Sequence, residues 1–491
     1  MLLVNSLNYK AILRIIGIIT FLVSLSMIIP WIYAGATGDV ACAEGFKKCI
    51  PGLFLLGSVG TASIQHQKVH LRSREGYIVV AACWILASFY GAFPYYFSGY
   101  AENFIDALFE STSGFTTTGC TAISMTVLPK SLMLWKAITH WIGGMGILVF
   151  IISILPALGV NGQLIARAEA PGPVFEKMTV RMSDSAKILY VTYISFTIIE
   201  FMLLAASPSM DTFDAVINTL GSISTGGLVP HPEGIAYYDS LYVEIVISIF
   251  CILASVNFIL YHYAFTGKFQ YIFKDIELRA FLLIIVIAIM VSAFSLACHS
   301  DLSFSQSLRE SFFQVISMST TSGYTRSPYM TWPTTCQFLL ILLMFIGGCG
   351  ASTAGSIKVI RVLIMLKLIW RGGIKRIHPR SVVAVKFKNS GAIPAPVVSA
   401  ITMFILTYFF LFVLSAVLLS FQGLDMETTL TASIAMLSNT GATFGEAGLI
   451  GNFSMFHPLL KLYLCALMVI GRLEMFPIIV LFTKNFWGKD R

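Results

Sequence analysis

Four short stretches of this chain carry the residue types needed to strip and hold a bare cation. They read FTTTGCT at Phe115–Thr121, SISTGGL at Ser222–Leu228, TTSGYT at Thr320–Thr325 and SNTGATF at Ser438–Phe444. Each places a glycine, at 119, 226, 323 and 441, directly after a Ser or Thr. A dehydrated cation must exchange its water shell for oxygens at similar distance, and backbone carbonyls can supply them. Consecutive carbonyls point the same way only where some residues take dihedrals closed to a side chain with a Cβ, which glycine permits. Ser and Thr hydroxyls help hold such backbone, which at membrane depth survives only where it lines a cavity or packs on protein. The carbonyls of Thr117, Thr118, Ser224, Thr225, Thr321, Ser322, Asn439 and Thr440, with Gly119, Gly226, Gly323 and Gly441, are therefore expected to form one ring. One such turn alone reads as an ordinary glycine loop. Four copies at similar spacing read as a repeat.

Other chemistry finds little support. No nucleophile, base or metal ligands converge in the sequence, and the eight histidines form no HExxH pattern, so an enzyme is not expected. The nine cysteines are scattered with no CxxC; Cys42 with Cys49, or Cys298 with Cys336, could oxidise on the outside, although unpaired membrane cysteines are the simpler reading. Acids precede the turns: Asp106 and Glu110, Asp211 and Asp214, Glu310, Asp425 and Glu427. They could complement helix N-termini or concentrate cations at a mouth.

The elements that must position these turns follow from composition. The 491 residues are 57% hydrophobic and only 11% charged, with a mean hydropathy of +0.82, against about 25% charged residues in soluble proteins. Such a chain must use lipid as its solvent, and its long continuous apolar runs exclude a β-barrel. The apolar run from about 11 to 34 is too long for a signal peptide core and reads as a retained helix; a shorter span follows near 50–64. Then one pattern recurs four times: long apolar helix, short half-apolar helix, glycine turn, long apolar helix. The long-short-long segments are 77–96, 104–115 and 132–155; 188–204, 211–222 and 241–265; 280–298, 304–319 and 338–370; 395–419, 426–437 and 459–482. The fold class is thus all-α and polytopic: residues 1–75 as a two-helix extension, then pore repeats at 76–180, 181–275, 276–390 and 391–491. The net charge of +8 reads as positive-inside bias rather than nucleic-acid binding. Most Lys and Arg fall in the loops around His66–Arg74, Arg167–Lys187, Lys268–Arg279 and Arg371–Lys388 and near the C-terminus, which puts both termini in the cytoplasm and the turns toward the outside.

Two further features stand apart. IGGCGASTAGSIK, Ile346–Lys358, would interrupt a helix or make a close small-residue packing face. Arg472, in VIGRLEMFP, and Glu200 are costly charges within apolar helices. Arg472 reads either as facing an aqueous path or as half of a buried salt bridge, and Glu200 receives no role.

The four turns with this repeat plan resemble the Trk/Ktr/HKT cation transporters. The two extra N-terminal spans and LPALGVNGQLIARAEAPGPVFEKMTVR at Leu155–Arg181 are similar to the bacterial TrkH/TrkG branch. The resemblance implies potassium uptake across a bacterial inner membrane and potassium in the filter as the sole metal. It also implies no covalently bound cofactor, a homodimer, and a cytosolic nucleotide-binding regulatory subunit of TrkA type. The basic stretch Arg371–Lys388 would be its docking surface. It further implies that Gly347, Gly348, Gly350, Gly355 and Lys358 form an intramembrane gate and that Arg472 points into the pore as a barrier. Gly119 in the first repeat favours potassium, since serine there accompanies sodium permeation among plant-type relatives; a sodium-permeable transporter is the alternative. Whether transport is proton symport or channel-like stays open.

Overall fold

The computed structural model describes residues 7–62, 73–124, 127–146, 182–387, 392–448 and 452–487. The stretch Leu155–Arg181, the end of the first closing helix and the basic residues at 66–72, 388, 489 and 491 lie outside them. Among the described residues the fold is helical, with only two isolated bridges, Thr121 to Asn452 and Lys386 to Ala392. Among the described residues, five helical stretches are long and apolar enough to cross a membrane: Tyr9–Thr37, Arg74–Phe97, Ile188–Ala205, Ile276–His299 and Ala395–Ser420. Their outer faces are apolar and uncovered, as at Leu283, Phe294, Leu406 and Phe410. In water that would be an aggregation surface; in lipid it is the solvated face.

The N-terminal extension packs through small residues. A Cβ on Gly57 would lie 2.6 Å from the Phe21 amide nitrogen, and one on Gly17 would lie 2.8 Å from the Gly60 main chain. Helices Tyr9–Ser26 and Val40–Ala62 therefore approach backbone to backbone. The second helix begins ten residues before the expected span. Cys42 and Cys49 thus share one helix, and seven residues of rise separate them by about 10 Å, beyond disulfide reach. All nine cysteines are free thiols. Cys298 is exposed, whereas Cys336 is buried and donates its thiol to the Ser292 carbonyl at 3.6 Å.

The four short helices are Phe104–Phe115, Thr212–Ile223, Phe304–Ser319 and Met426–Ser438. Each starts at a capping residue whose side chain accepts an amide hydrogen: Asn103 from Asp106, Asp211 from Asp214, Ser303 from Gln306 and Asp425 from Thr428. The closing helices depart from expectation. Their first segments are Lys130–Gly144, Leu241–Ser255, Thr334–Ile346 and Pro458–Arg472. Only the third break was expected from its glycines. The second segment is followed by Phe258–Phe265 at 95° and the fourth by Phe476–Phe482 at 115°, so neither 241–265 nor 459–482 is one straight span. Arg472 is the last residue of its helix, not one within it.

Candidate functional site: a ring of four glycine turns

Each short helix ends in the same hydrogen-bond sequence. The amides of Thr118, Gly226, Ser322 and Thr440 donate to the carbonyls five residues back: Ser113, Gly221, Ser317 and Ala435, at 2.7–3.0 Å. One residue earlier, Thr117, Thr225, Thr321 and Asn439 all take left-handed φ values of 54–56°. Such backbone costs a non-glycine residue about 1–2 kcal/mol, so the surrounding packing imposes it. One residue later, Gly119, Gly227, Gly323 and Gly441 take φ of 86, 64, 73 and 76°.

This corrects the register of the second turn. Gly226 occupies the place of Thr118, Ser322 and Thr440, and Gly227 is the counterpart of the other three glycines. Ser224 caps the helix and lies outside the layer. The STGG sequence offers two glycines, and only the helix end at Ile223 decides which one receives the positive φ.

The turns close into a ring. A Cβ on Gly119 would lie 2.3 Å from the Gly226 carbonyl oxygen, and one on Gly227 would lie 1.9 Å from that of Ser322. Cβ atoms on Gly323 and Gly441 would lie 1.9 Å from the carbonyl oxygens of Thr440 and Thr118. Each glycine thus admits the carbonyl of the next turn, and the fourth returns to the first. The cavity of about 20 Å³ between them is lined by Thr118, Gly119, Gly226, Gly227, Ser322, Gly323, Thr440 and Gly441 together with Val229, Gly234 and Thr325, room for about one water-sized particle.

The acids ahead of the turns are tied down. Glu110 is fully buried and pairs with Lys136 at 2.6 Å; it also accepts the Ala122 and Ile123 amides and the Thr121 hydroxyl. Lys136 donates as well to the Cys120 carbonyl at 2.8 Å. Asp106 pairs with Lys461 at 2.6 Å, Asp214 with His231 at 2.7 Å, and Glu310 with Arg326. Asp106 and Asp214 also stand in the first turns of their helices, as expected of acids that complement an N-terminus. Beyond that, the pairs of Glu110, Asp214 and Glu310 hold groups of the outer strands or the adjoining segment, and that of Asp106 joins two helices. Asp211 and Asp425 are caps, and Glu427 is exposed. Sequence reasoning missed Lys136 and Lys461, although a lone cation in an apolar helix was the available signal. Glu200 is buried behind the second turn and accepts the Ser222 hydroxyl at 2.5 Å.

The stretch 347–358 lies directly against the ring. Gly347 ends the helix at φ 69°, and Ala351, Ser356 and Lys358 are also left-handed. The Gly355 amide donates to Thr321 Oγ1 at 2.8 Å, and a Cβ there would lie 2.0 Å from the Ser438 carbonyl oxygen. Gly348 would carry a Cβ 3.0 Å from the Ser255 carbonyl oxygen, whereas Gly350 has room for one and is used through its amide, which donates to Glu277 at 2.8 Å. Lys358 is buried, with its ammonium on the Ala354 carbonyl. Arg472 donates to the Thr353 carbonyl at 2.8 Å and to the Gly143 and Gly144 carbonyls at 2.7 and 2.9 Å. It therefore joins the end of the fourth closing segment to the end of the first and to this loop. Glu474 pairs with Arg361.

Residues 47–489 match the family model TrkH, described as a cation transport protein. The chain is 34% identical to the Trk system potassium uptake protein TrkH of Halomonas elongata and to that of Escherichia coli K12, covering 98% of this chain and 100% of each. It is 32% identical to the Trk system potassium uptake protein TrkG of Escherichia coli K12, covering 98% and 99%. The crystal structure of the potassium transporter TrkH from Vibrio parahaemolyticus superposes with a TM-score of 0.87 at 31% identity, over 98% of this chain and 100% of that one. On full-length likeness in sequence and in fold, the chain belongs to the TrkH family of cation transport proteins.

Proposed function

We propose that this protein takes up potassium across a bacterial inner membrane, with both termini in the cytoplasm and the four turns as its selectivity filter. The observation that carries the reading is the closed ring in which the carbonyls of Thr118, Gly226, Ser322 and Thr440 each meet the glycine of a neighbouring turn. Oxygens fixed in this way replace a hydration shell without rearranging. The short helices end at the ring, so the negative ends of their dipoles favour a cation there. The filter residues are Thr117, Thr118, Gly119, Thr225, Gly226, Gly227, Thr321, Ser322, Gly323, Asn439, Thr440 and Gly441.

The loop 347–358 is the gate, and Arg472 is its latch as well as a positive barrier below the filter. The repeats are bounded as the sequence pattern divides them, following the two-helix extension. The protein works as a homodimer with a cytosolic nucleotide-binding regulatory subunit, docked on the basic surface that begins at Arg371; the Trk system names of the relatives support a multi-component assembly.

Proteoliposomes holding the full chain are expected to accumulate tracer rubidium down an imposed voltage. Excess potassium should suppress that uptake and equal sodium should not. Uptake no greater than in empty liposomes, or equal suppression by both ions, would overturn the reading.

A further inference from the structure

Three turns hold themselves by paired hydroxyls: Thr116 with Thr118 at 2.8 Å, Thr320 with Ser322 at 2.9 Å and Ser438 with Thr440 at 2.7 Å. Each pair ties the filter strand to the last turn of its helix. The second turn has no such pair. Gly226 offers no side chain, and the Ser224 hydroxyl folds back to the Leu220 carbonyl at 2.6 Å.

The vacant position is filled from the neighbouring repeat. A Cβ on Gly226 would lie 2.6 Å from Nδ1 and 2.9 Å from Cγ of His140, which stands on the closing segment Lys130–Gly144. His140 is fully buried. Neither ring nitrogen makes a hydrogen bond of full geometry to the described residues, although the Ser113 carbonyl of the first short helix lies close to the ring. Lys136, one turn away, is already engaged by Glu110 and the Cys120 carbonyl. The imidazole is thus neither half of an ion pair nor a cap. It is a flat body wedged behind one filter strand, and a strand with nothing behind it can retreat from the axis.

We infer that His140 is a positioning residue of the filter, replacing the side chain that Gly226 lacks and fixing the ring's width on its second side. The inference rests on reading the ring as a potassium filter. Its mechanism is steric: close-packed surroundings transmit a lost side chain as a displacement of what it supported, and ion discrimination depends on where the carbonyls stand.

The test compares potassium-over-sodium permeability of reconstituted full-length protein for His140→Ala, Gly226→Ser and the two together. Gly226 is not in the left-handed region, so its backbone accepts a serine. His140→Ala is expected to lower the ratio on the order of tenfold by freeing the strand. Gly226→Ser alone should lower it as well, because the new side chain meets the ring. The double variant makes the room and supplies a hydroxyl one residue past Thr225, matching the other three turns, so its ratio should return to within about threefold of wild type. An unchanged ratio in His140→Ala, or a double variant that loses as much as both singles combined, would overturn the inference. If His140→Ala alone fails to give monodisperse protein, the double variant decides: folded and selective supports it, misfolded or unselective overturns it. A wild type without preference for potassium would instead sink the filter reading itself.

Discussion

Gly441→Ser is expected to weaken potassium selection strongly and to cut uptake by at least about a hundredfold. Two independent costs fall on the same atom. The backbone stands at φ 76°, where a side chain costs about 1–2 kcal/mol. The new Cβ would also lie 1.9 Å from the Thr118 carbonyl oxygen and 3.2 Å from the Cys120 amide nitrogen. Neither neighbour is the free end of a flexible side chain, so relief must come from main-chain movement in the first turn. Overpacking of this kind costs roughly 1–3 kcal/mol more, and all of it is spent on the spacing of carbonyls. The same substitution at Gly227 should be comparably harmful, since its φ is 64° and its Cβ would meet the Ser322 carbonyl oxygen at 1.9 Å. Gly52→Ala is the control, because its Cβ would meet nothing within 4 Å. Wild-type selectivity in Gly441→Ser would remove that glycine from the filter.

Arg472→Ala is expected to raise flux on the order of tenfold rather than lower it. The guanidinium spans three carbonyls belonging to two separate elements, Thr353 on the loop and Gly143 and Gly144 on the first closing segment. Hydrogen bonds with one charged partner contribute about 1.5–3 kcal/mol each, so losing them frees the loop beneath the ring. On the proposed barrier role, removing its positive charge acts in the same direction. Arg472→Lys separates the two contributions. A lysine keeps the charge but cannot reach three acceptors in a planar fork; wild-type flux would mean that charge alone matters, and raised flux would mean that the latch does. Flux lowered in Arg472→Ala, in protein that is folded and reconstituted, would contradict both roles.

Much of this arrangement was legible from local sequence, and the exceptions have physical reasons. The short helices at 104–115 and 304–319 begin and end where their apolar pattern and capping residues place them. The third break showed itself through Gly347, Gly348, Gly350 and Gly355. The break after Ser255 did not, because Val256–Asn257 carry no glycine or proline, whereas the one after Arg472 was signalled by Gly471 and Pro477, which the single span 459–482 passed over. At both breaks the helix end meets the ring and the loop: the Ser255 carbonyl accepts the Cys349 amide at 2.9 Å, and Arg472 turns its side chain to other elements. The register of the second turn was illegible for a different reason. Two adjacent glycines are equivalent in sequence and are told apart only by hydrogen bonds counted back from the helix end. The ion pairs were hidden by distance along the chain, as with Lys461 and Asp106, which are 355 residues apart.

The carbonyl ring is where the cation is expected to rest. Crystals of the full chain soaked in rubidium or thallium, measured at the ion's absorption edge, test this directly. The expected result is an anomalous peak on the axis between the carbonyls of Thr118, Gly226, Ser322 and Thr440, lost when sodium replaces the soaked ion. A ring without a peak, or a peak confined to the outer acidic residues such as Asp214 or Glu310, would contradict it.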